Sequence, residues 1–320
     1  MSTTAPHPGG VAGGDRVLVT GGGGFIGTHL CRALSDGGAS VEAWVRPGSA
    51  AGAKLRLAQP TLDIHEIDVR NARAVADALA ARPPQRVFHL AGIRLFGNTA
   101  QNLSQMVDSH VLGTLNLLQG LHADARLLVA GSCEEYGPAP VPFDEAGPAL
   151  AQTAYAVSRL ATTLACLSLA SPAVCVARLS VVYGPEQEGA MFIPSLLQAC
   201  ATGRPFAMSS GEQTRDFLYV SDAVRALILL ADCDAARHQV VNVGTAVECT
   251  VRQVAEQVAR LAGNRAKLDI GAIVSRPGEA SRYVCATGKI QALTGWQPQV
   301  DLAQGLAHAL AWWTSRQRAP

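Results

Sequence analysis

The sequence has 320 residues, of which 48% are hydrophobic and 16% are charged, so it can bury a large core made of a main domain and a smaller lobe. The 26 Lys and Arg residues nearly balance the 25 Asp and Glu residues, and the formal charge of +1 excludes an overall basic field that would attract nucleic acid or an anionic membrane. Anionic ligands must therefore be met by local groups.

The cysteines and the first residues bear on the cellular compartment. Eight cysteines are scattered without a C-x-x-C pair or a secretory leader, which indicates reduced thiols in a cytoplasmic protein rather than disulfides or a zinc site, and we expect no metal. Residues 1–14 are rich in Ser, Thr, Pro and Gly, so we expect a flexible leader and not a signal peptide. The longest apolar helix candidates, around Val224–Ala231, are too short to span a bilayer, and no membrane partner is expected.

A glycine-rich segment follows the first predicted strand. The apolar run Val17–Val19 leads into TGGGGFIG at Thr20–Gly27, and Thr28–Leu34 has the apolar spacing of a helix. A diphosphate approaches main chain closely only where no Cβ intervenes, and a helix start offers free N–H groups. A glycine turn that binds nothing is the alternative, but the order of strand, loop and helix favours a dinucleotide site. The predicted contacts are Gly21, Gly24, Phe25, Ile26 and Gly27.

Short β-rich runs alternate with helix-length segments through the first half of the chain. This order predicts an α/β fold with a Rossmann-type doubly wound parallel sheet, whose carboxyl edge carries the ligands. Ser221 is predicted to cap a helix that ends at Ala231, and Val240–Val243 is predicted to return to the sheet as a strand. The other predicted strands are Val17–Thr20, Val41–Val45, Leu62–Ile67, Val87–Leu90, Leu127–Ala130 and Val174–Ala177.

Segments punctuated by Pro and Gly follow Arg178 and suit a smaller C-terminal substrate-binding lobe. The returning strand predicts that the two lobes interleave in sequence. We therefore assign residues 15–180 and about 216–246 to the dinucleotide-binding domain, and residues 181–215 and 247–320 to the substrate-binding lobe.

The end of the second strand bears on the choice of dinucleotide. Arg46 stands where an NAD-preferring site would place a carboxylate, and a guanidinium there could pair with a 2′-phosphate. We therefore expect NADP to be preferred, with NAD as the alternative if Arg46 is only an exposed turn residue. Asp68 and Val69, after the third strand, are predicted to contact the adenine, unless the acidic residue is simply solvated. Leu90 and Ala91, at the end of the fourth strand, complete the predicted cofactor site.

Two segments carry groups suited to proton transfer. GSCEEYG at Gly131–Gly137 follows the fifth strand and places a hydroxyl and a carboxylate near the cofactor edge. Tyr155 and Arg159 lie four apart on the predicted helix Gln152–Ala170, so one face presents a phenol and a permanent cation. A nearby cation stabilises phenolate, which favours Tyr155 as a base, and the Ser132 hydroxyl could share the substrate proton. An ordinary surface pair is the alternative.

Together these segments resemble the extended short-chain dehydrogenase/reductases, in the branch of nucleotide-sugar epimerases and dehydratases. The resemblance covers nearly the whole chain and rests on TGGGGFIG, GSCEEYG, HLAG at His89–Gly92, YAVSR at Tyr155–Arg159, VYGP at Val182–Pro185, GEQTRDFLYVSD at Gly211–Asp222, RPGE at Arg276–Glu279 and LTGWQP at Leu293–Pro298. It implies that Tyr155 is the general base at a sugar hydroxyl and that Ser132 polarises the same oxygen. It also implies that Arg215 and Arg276 contact the diphosphate of a nucleoside-diphosphate sugar, with Glu279 among the substrate contacts.

Three positions depart from that family. Arg159 stands where the family has a lysine, and arginine keeps the charge but not the geometry or the proton relay. His110 replaces the usual asparagine, and either provides a proton path or packs within its helix. Val181 replaces a substrate-contacting asparagine, which implies an atypical substrate pocket.

The segment Ser132–Glu134 is similar to the Thr-Asp-Glu, Thr-Ser-Glu or Thr-Cys-Glu stretch of sugar-nucleotide dehydratases, which implies elimination chemistry. Once hydride leaves C4, the C5 proton becomes acidic, so Glu134 could remove it while Cys133 assists the departure of a hydroxyl. Decarboxylases of the family also carry a glutamate there, and a glutamate that only bonds loop amides is a third interpretation.

The preferred hypothesis is an NADP-using dehydratase that oxidises C4 with Tyr155, eliminates water with Glu134 and then returns the hydride. The alternatives are a 4-epimerase, a 4-ketoreductase that consumes NADPH and is mildly favoured by Arg46, and a uronic acid decarboxylase. A catalytically silent NADP-binding sensor is the alternative from a different class, and it is suggested by Arg159.

Two predicted helices bear on the oligomeric state. Gln101–Leu121 and Gln152–Ala170 carry apolar residues on more than one face, which predicts a homodimer joined by a four-helix seam, as in the family. Burial within the monomer is the alternative.

Overall fold

The computed structural model describes residues 15–274 and 280–318. The strands of this part are β1 (Arg16–Thr20), β2 (Ser40–Val45), β3 (Asp63–Glu66), β4 (Arg86–His89), β5 (Arg126–Ser132), β6 (Ala173–Leu179), β7 (Val181–Tyr183), β8 (Phe206–Met208), β9 (Thr214–Arg215), β10 (Phe217–Tyr219), β11 (Gln239–Val243), β12 (Cys249–Thr250), β13 (Leu268–Ile270) and β14 (Arg282–Tyr283). The helices are α1 (Phe25–Asp36), α2 (Ala50–Ala58), α3 (Ala72–Ala81), α4 (Ala100–Val107), α5 (Gly113–Gly120), α6 (Ala154–Ser168), α7 (Phe192–Thr202), α8 (Val220–Asp232), α9 (Val251–Leu261), α10 (Gly288–Thr294) and α11 (Leu302–Arg318).

A parallel sheet forms the centre of the larger lobe. Its strands lie in the order β3-β2-β1-β4-β5-β6-β11, and every neighbouring pair is parallel. The predicted Rossmann-type doubly wound fold is therefore confirmed, including the return of β11 to the sheet. The strand order reverses between β1 and β4, and a crevice for ligands is expected at the carboxyl ends of strands on either side of such a reversal.

Both faces of the sheet are covered, which explains why the strands read as unbroken apolar runs. Val17 and Val19 of β1 pack on one face with Leu30 of α1. Leu18, which points to the opposite face, packs with Leu117 of α5. The helices therefore lie on both sides, and the site can form only at the open edge of the sheet.

A second apolar core joins α7, α9 and α11 with the short strands β7 and β10. The predicted boundary placed everything after residue 247 with this core, but Ile290 of α10 and Trp296 pack instead with the core of the large sheet. Trp296 Nε1 also donates to the carbonyl of Asp222, 3.1 Å away. The chain therefore crosses back to the larger lobe once more before α11, and the rest of the predicted division stays a prediction.

The structure corrects one prediction about a helix start and refines one about helix continuity. Helix α8 follows β10 directly and begins at Val220, so Ser221 lies inside the first turn and is not the cap. The predicted helix Gln101–Leu121 is α4 and α5 joined by a π-helical turn at Asp108–Leu112. Among the helices of the described ranges, none combines the length and the apolar character that a membrane crossing needs.

His110 lies in the π-helical turn and is completely buried against α6. Its Nε2 accepts a hydrogen bond from the backbone N–H of Ile93 (3.2 Å), so Nδ1 carries the proton and donates to Ser158 Oγ (2.8 Å). Burial, with a contribution from the Arg159 charge, lowers the pKa of His110 to about 2. A neutral histidine with both nitrogens engaged favours the packing role over the proton path.

We predict that replacing His110 with asparagine makes the protein less sensitive to acid. The pKa of His110 in the folded protein lies below the usual value of 6.5. Below pH 6.5 this histidine is therefore protonated in the unfolded chain but stays neutral in the folded protein. Stability is therefore lost as the pH falls, and this one group should account for about 2 kcal/mol between pH 7 and pH 5. Asparagine can keep both hydrogen bonds without titrating. Urea unfolding at both pH values measures the difference, with exposed His122→Asn as the control; an equal loss in the His110 variant and the wild type would contradict it.

Candidate active site

The loop between β1 and α1 leaves its backbone open to a ligand. Gly21 has φ +72°, and a Cβ there would lie 2.7 Å from the amide nitrogen of Ala91. A Cβ on Gly27 would lie 2.2 Å from the Gly21 carbonyl oxygen. Gly24 occupies the N-cap position of α1 without any side-chain cap, so the first-turn N–H groups, which lack partners inside the helix, meet no capping side chain. These residues fit a dinucleotide diphosphate.

Several other predicted cofactor residues lie around this loop. Phe25 and Ile26 form the first turn of α1, and Leu90 and Ala91 lie against Gly21 at the end of β4. The turn of the glycine loop is closed by a hydrogen bond of 2.9 Å from the N–H of Gly24 to the carbonyl of Gly21. The loop, the end of β4 and the start of α1 thus meet at the place where the strand order reverses.

The predicted adenosine end contains an arginine that the sequence analysis did not single out. Arg70 donates to Asp68 through Nε (2.9 Å) and Nη2 (2.6 Å), and this hydrogen bonding, helped by the charge of Arg46, holds the pKa of Asp68 below its usual value. Arg46 itself is exposed at the end of β2. Val69 turns its side chain into the core, while its carbonyl accepts from Asn116 (2.8 Å).

The segment after β5 is held by reciprocal hydrogen bonds. Ser132 Oγ accepts from the N–H of Glu134 (3.2 Å), and the N–H of Ser132 donates to the Glu135 carboxylate (2.9 Å). Glu135 is completely buried, and its other oxygen accepts from Arg178 Nε and Thr163 Oγ1, both at 2.8 Å. The sequence analysis missed the ion pair between Glu135 and Arg178. The signal that could have indicated it was Arg178 inside an apolar strand, because a buried guanidinium requires a buried acceptor.

The structure argues against the predicted acid role of Cys133. Its side chain is buried in an apolar cluster with Tyr136, Phe143 and Tyr283. There it hydrogen-bonds the thiol of Cys285, and this contact, together with burial, raises the pKa of Cys285 well above its usual value. The consecutive residues Cys133 and Glu134 of the 3₁₀ turn Cys133–Tyr136 thus make different contacts, since the thiol packs in the apolar cluster and the carboxylate binds Arg94.

Tyr155 lies in the first turn of α6, which begins after the cap Thr153. The predicted pairing with Arg159 is present, since the guanidinium carbon lies 5.5 Å from the Tyr155 ring centroid. Arg159 is buried and donates through Nη1 to the Ala130 carbonyl over 3.1 Å. Its Nε is buried without a hydrogen-bond partner in the ranges that the structure describes. A buried N–H of this kind is costly unless a bound group accepts from it.

Arg94, from the loop after β4, was also missed by the sequence analysis. Its Nη1 lies 2.7 Å from Glu134 Oε1, and its guanidinium carbon lies 4.3 Å from the Tyr155 ring centroid. Burial lowers the pKa of Arg94, but the Glu134 carboxylate and Tyr155 outweigh it, and the net shift is upward. No periodic pattern could have found this residue, because it acts from a loop on two other elements. Arg94 brings the predicted groups Glu134 and Tyr155 together.

The predicted substrate residues of the smaller lobe are only partly described. Arg215 is buried, its guanidinium carbon lies 4.7 Å from the Tyr283 ring centroid, and its Nη1 donates to the Thr214 carbonyl (2.7 Å). Val181 is half-buried, and its N–H donates to the Asp216 carbonyl (2.9 Å). Arg276 and Glu279 lie outside the described residues, so their predicted roles stay predictions.

One group of potential metal ligands occurs in the described ranges, made of Glu42, Asp63 and His65. The guanidinium of Arg82 already lies among them, 2.5 Å from Asp63 and 2.9 Å from His65. A cationic side chain in this position supports no metal there.

Comparison with known proteins agrees with this geometry. Residues 17–244 match the model of the NAD dependent epimerase/dehydratase family. A UDP-N-acetyl-alpha-D-glucosaminuronate decarboxylase of Bacillus cytotoxicus is 27% identical over 93% of this chain and 97% of that protein. A dTDP-glucose 4,6-dehydratase of Streptomyces niveus is 28% identical over 93% of this chain and 92% of that protein.

Solved structures extend the similarity to the fold and the cofactor. MoeE5, solved with UDP-glucuronic acid and NAD, is 30% identical with a TM-score of 0.82, over 94% of this chain and 99% of that chain. RMD from Pseudomonas aeruginosa, solved with NADPH, is 27% identical with a TM-score of 0.80, over 94% of this chain and 99% of that chain. These comparisons support a nicotinamide dinucleotide as the cofactor. The chain belongs to the NAD-dependent epimerase/dehydratase family and is an enzyme of the extended short-chain dehydrogenase/reductase class.

Proposed function

We propose that this enzyme oxidises C4 of a nucleoside-diphosphate sugar and then eliminates water from the keto sugar, as an NDP-sugar dehydratase. The observation that carries the proposal is the contact of one guanidinium, Arg94, with both Tyr155 and Glu134. The proposed base for a hydroxyl proton, Tyr155, and the proposed base for a carbon-bound proton, Glu134, thus contact the same side chain. The similarity to a dTDP-glucose 4,6-dehydratase supports the same reaction class.

The first step uses Tyr155, Ser132 and the cations around them. Tyr155, as phenolate, takes the proton from the C4 hydroxyl, while the Ser132 hydroxyl donates a hydrogen bond to the same oxygen. A nicotinamide dinucleotide held by the loop of Gly21, Gly24 and Gly27 would supply the hydride chemistry, taking a hydride from C4 and returning it to the dehydrated sugar, while C5 regains a proton that balances the one taken by Tyr155. The charges of Arg159 and Arg94 stabilise the phenolate, because a cation near the phenol favours its anionic form.

The second step uses Glu134. The C4 ketone makes the C5 proton acidic, and the Glu134 carboxylate removes it. The hydroxyl on the next carbon then leaves as water. Because Cys133 is packed in the apolar cluster, the proton for this water comes from the newly protonated Glu134 carboxyl, so one group first acts as base and then as acid. The carboxylate that Glu134 regains is again paired with Arg94.

We propose NADP as the preferred dinucleotide, with NAD as the alternative. Arg46 is exposed at the end of β2, at the predicted adenosine end, where Arg70 after β3 is paired with Asp68. A guanidinium such as that of Arg46 suits a 2′-phosphate better than a 2′-hydroxyl. The NADPH in RMD and the NAD in MoeE5 show that structural relatives use either cofactor. Arg46 also favours a 4-ketoreductase, which is the second candidate.

We also propose a homodimer formed through α6 and the helices beside it. Val157, Leu164 and Leu167 of α6 are exposed, with 60% of Leu164 accessible, and Leu112 of the adjoining turn is exposed as well. Val157 and Leu164 are seven residues apart and share a face, which suits a helical seam with a second copy.

The cysteines of the described ranges are free thiols, which supports the proposed cytoplasmic location.

A panel of nucleotide sugars tests the reaction. The purified protein is incubated with each sugar, and products are followed by mass spectrometry and cofactor absorbance. Loss of water without net use of NADPH supports the dehydratase. Stoichiometric use of NADPH indicates the 4-ketoreductase, an isomeric product the epimerase, and release of carbon dioxide from a uronic acid the decarboxylase. Cofactor binding with no turnover of any sugar leaves the silent sensor.

We predict that Tyr155→Phe and Glu134→Gln separate the two steps. The tyrosine variant should lose C4 oxidation about 10²–10⁴-fold, because no other positioned base takes the hydroxyl proton. The glutamate variant should still reduce the cofactor but form the dehydrated product about 10²–10⁴-fold more slowly. Rapid-mixing absorbance and product analysis measure the two steps, and Glu256→Gln on the exposed face of α9 is the matched control. Undiminished dehydration by the Glu134 variant would exclude the proposed elimination.

We predict that Arg46→Ser weakens NADP binding about tenfold and leaves NAD binding nearly unchanged, because only the 2′-phosphate loses a charge-assisted hydrogen bond. Calorimetric titration with each dinucleotide measures this. Arg252→Ser on α9 is the control, since that arginine pairs with Glu256 in the smaller lobe. Equal weakening of both dinucleotides would assign Arg46 a role other than choosing between them.

A further inference from the structure

Arg94 joins side chains from two elements that are not its own. It lies in the loop that follows β4, Glu134 lies in the 3₁₀ turn that follows β5, and Tyr155 lies on α6. The guanidinium binds the Glu134 carboxylate with Nη1 at 2.7 Å and lies over the Tyr155 ring at 4.3 Å. The contact leaves 33% of the Arg94 side chain and 19% of the Glu134 side chain exposed, so both side chains remain partly accessible to solvent.

Arg94 is better placed than Arg159 to act on Tyr155. Arg159 lies farther from the ring, at 5.5 Å, and its Nη1 is committed to the Ala130 carbonyl. Of these two cations, the one nearer to the ring comes from the loop and not from the helix. A guanidinium also suits this place because it can bind a carboxylate through its edge and stack on a ring through its face.

The other titratable groups around Tyr155 are either uncharged near neutral pH or paired with an opposite charge. His110, whose ring centroid lies 5.8 Å from that of Tyr155, is buried, which lowers its pKa to about 2. Burial lowers the pKa of His89 to about 3. Glu135, also packed against α6, is compensated by Arg178. Among the described residues, the charged groups that lie at the Tyr155 ring are therefore those of Arg94 and Arg159, with Glu134 held by Arg94. Asp108 of the π-helical turn acts on Arg70, and α4 carries no ionisable residue.

We propose that Arg94 is a positioning residue that couples the two proton-transfer groups: it stabilises the phenolate of Tyr155, and Glu134 tunes that effect by neutralising part of the Arg94 charge. The inference rests on the proposed function for its meaning in catalysis. It predicts that loss of the Arg94 charge and loss of the Glu134 charge have opposite effects on phenolate formation at Tyr155. Loss of the Arg94 charge makes the phenolate harder to form, whereas loss of the Glu134 charge leaves Arg94 uncompensated and makes the phenolate easier to form.

The variants Arg94→Gln, Arg94→Lys, Glu134→Gln and the double variant Arg94→Gln/Glu134→Gln test this coupling. Phenolate formation is titrated by ultraviolet absorbance, and the curve of the matching Tyr155→Phe variant is subtracted to isolate Tyr155 among the five tyrosines. Burial raises the pKa of Tyr136 and Tyr183, so these two titrate at higher pH. The pH profile of C4 oxidation is recorded in parallel. Arg73→Gln, which breaks an exposed pair with Asp77 on α3, is the control.

We expect Arg94→Gln to move both the titration midpoint and the acid limb of the rate profile to higher pH by about one pH unit. Arg94→Lys should keep the charge and move them less. Glu134→Gln should move the titration midpoint to lower pH, and this shift should be smaller in the double variant, where only the direct effect of the Glu134 charge is left. A uniform loss of rate with unchanged midpoints would reduce Arg94 to a structural role, and a Glu134 effect of equal size without Arg94 would overturn the coupling.

The titration tests the inference about Arg94, and the activity assay tests the proposed function. If no nucleotide sugar is oxidised by the wild type, the proposed function falls, but the Tyr155 titration still decides whether Arg94 supports the phenolate. If the sugar is oxidised and the midpoints do not move, the inference about Arg94 falls and the proposed function stands.

Discussion

The buried ion pair between Glu135 and Arg178 is the constraint on which the candidate active site depends. It connects the turn after β5 to β6 and, through Thr163, to α6. Removing one partner of such a pair leaves an uncompensated buried charge, at a cost of about 3–5 kcal/mol. Glu135 also accepts from the N–H of Ser132, so the ion pair fixes Ser132 at the start of the 3₁₀ turn. It also holds Glu135 inward, which leaves Glu134 as the glutamate that faces outward. Glu134 is free to act in the cleft because Glu135 is held.

The cleft itself holds more positive than negative charge. Arg94 and Arg159 lie near the Tyr155 ring, and Glu134 is the one carboxylate among the described residues that contacts this group. Such a field favours anionic forms, and the proposed chemistry needs two of them, a phenolate and a carboxylate. The neutrality of the whole chain conceals this local excess, which agrees with the expectation that anionic ligands are met by local groups.

Arginine at position 159 is accommodated by its surroundings. A Cβ on Gly92 would lie 2.7 Å from Arg159 Nη2, so the glycine leaves the room that a guanidinium needs. The bulkier group reaches the Ala130 carbonyl at the end of β5, where it ties α6 to the sheet. Of the two guanidinium groups, that of the loop residue Arg94 lies closer to the Tyr155 ring than that of Arg159.

The amino-acid sequence by itself determined the features that depend on local patterns. The glycine loop follows from the need to avoid Cβ atoms, the parallel sheet from alternating apolar strands and helices, and the face shared by Tyr155 and Arg159 from helical spacing. Only the tertiary structure decided the contacts between distant segments. It turned Cys133 inward, placed Trp296 in the core of the sheet and brought Arg94 to the catalytic groups, because loops and 3₁₀ turns follow no period from which the direction of a side chain could be predicted.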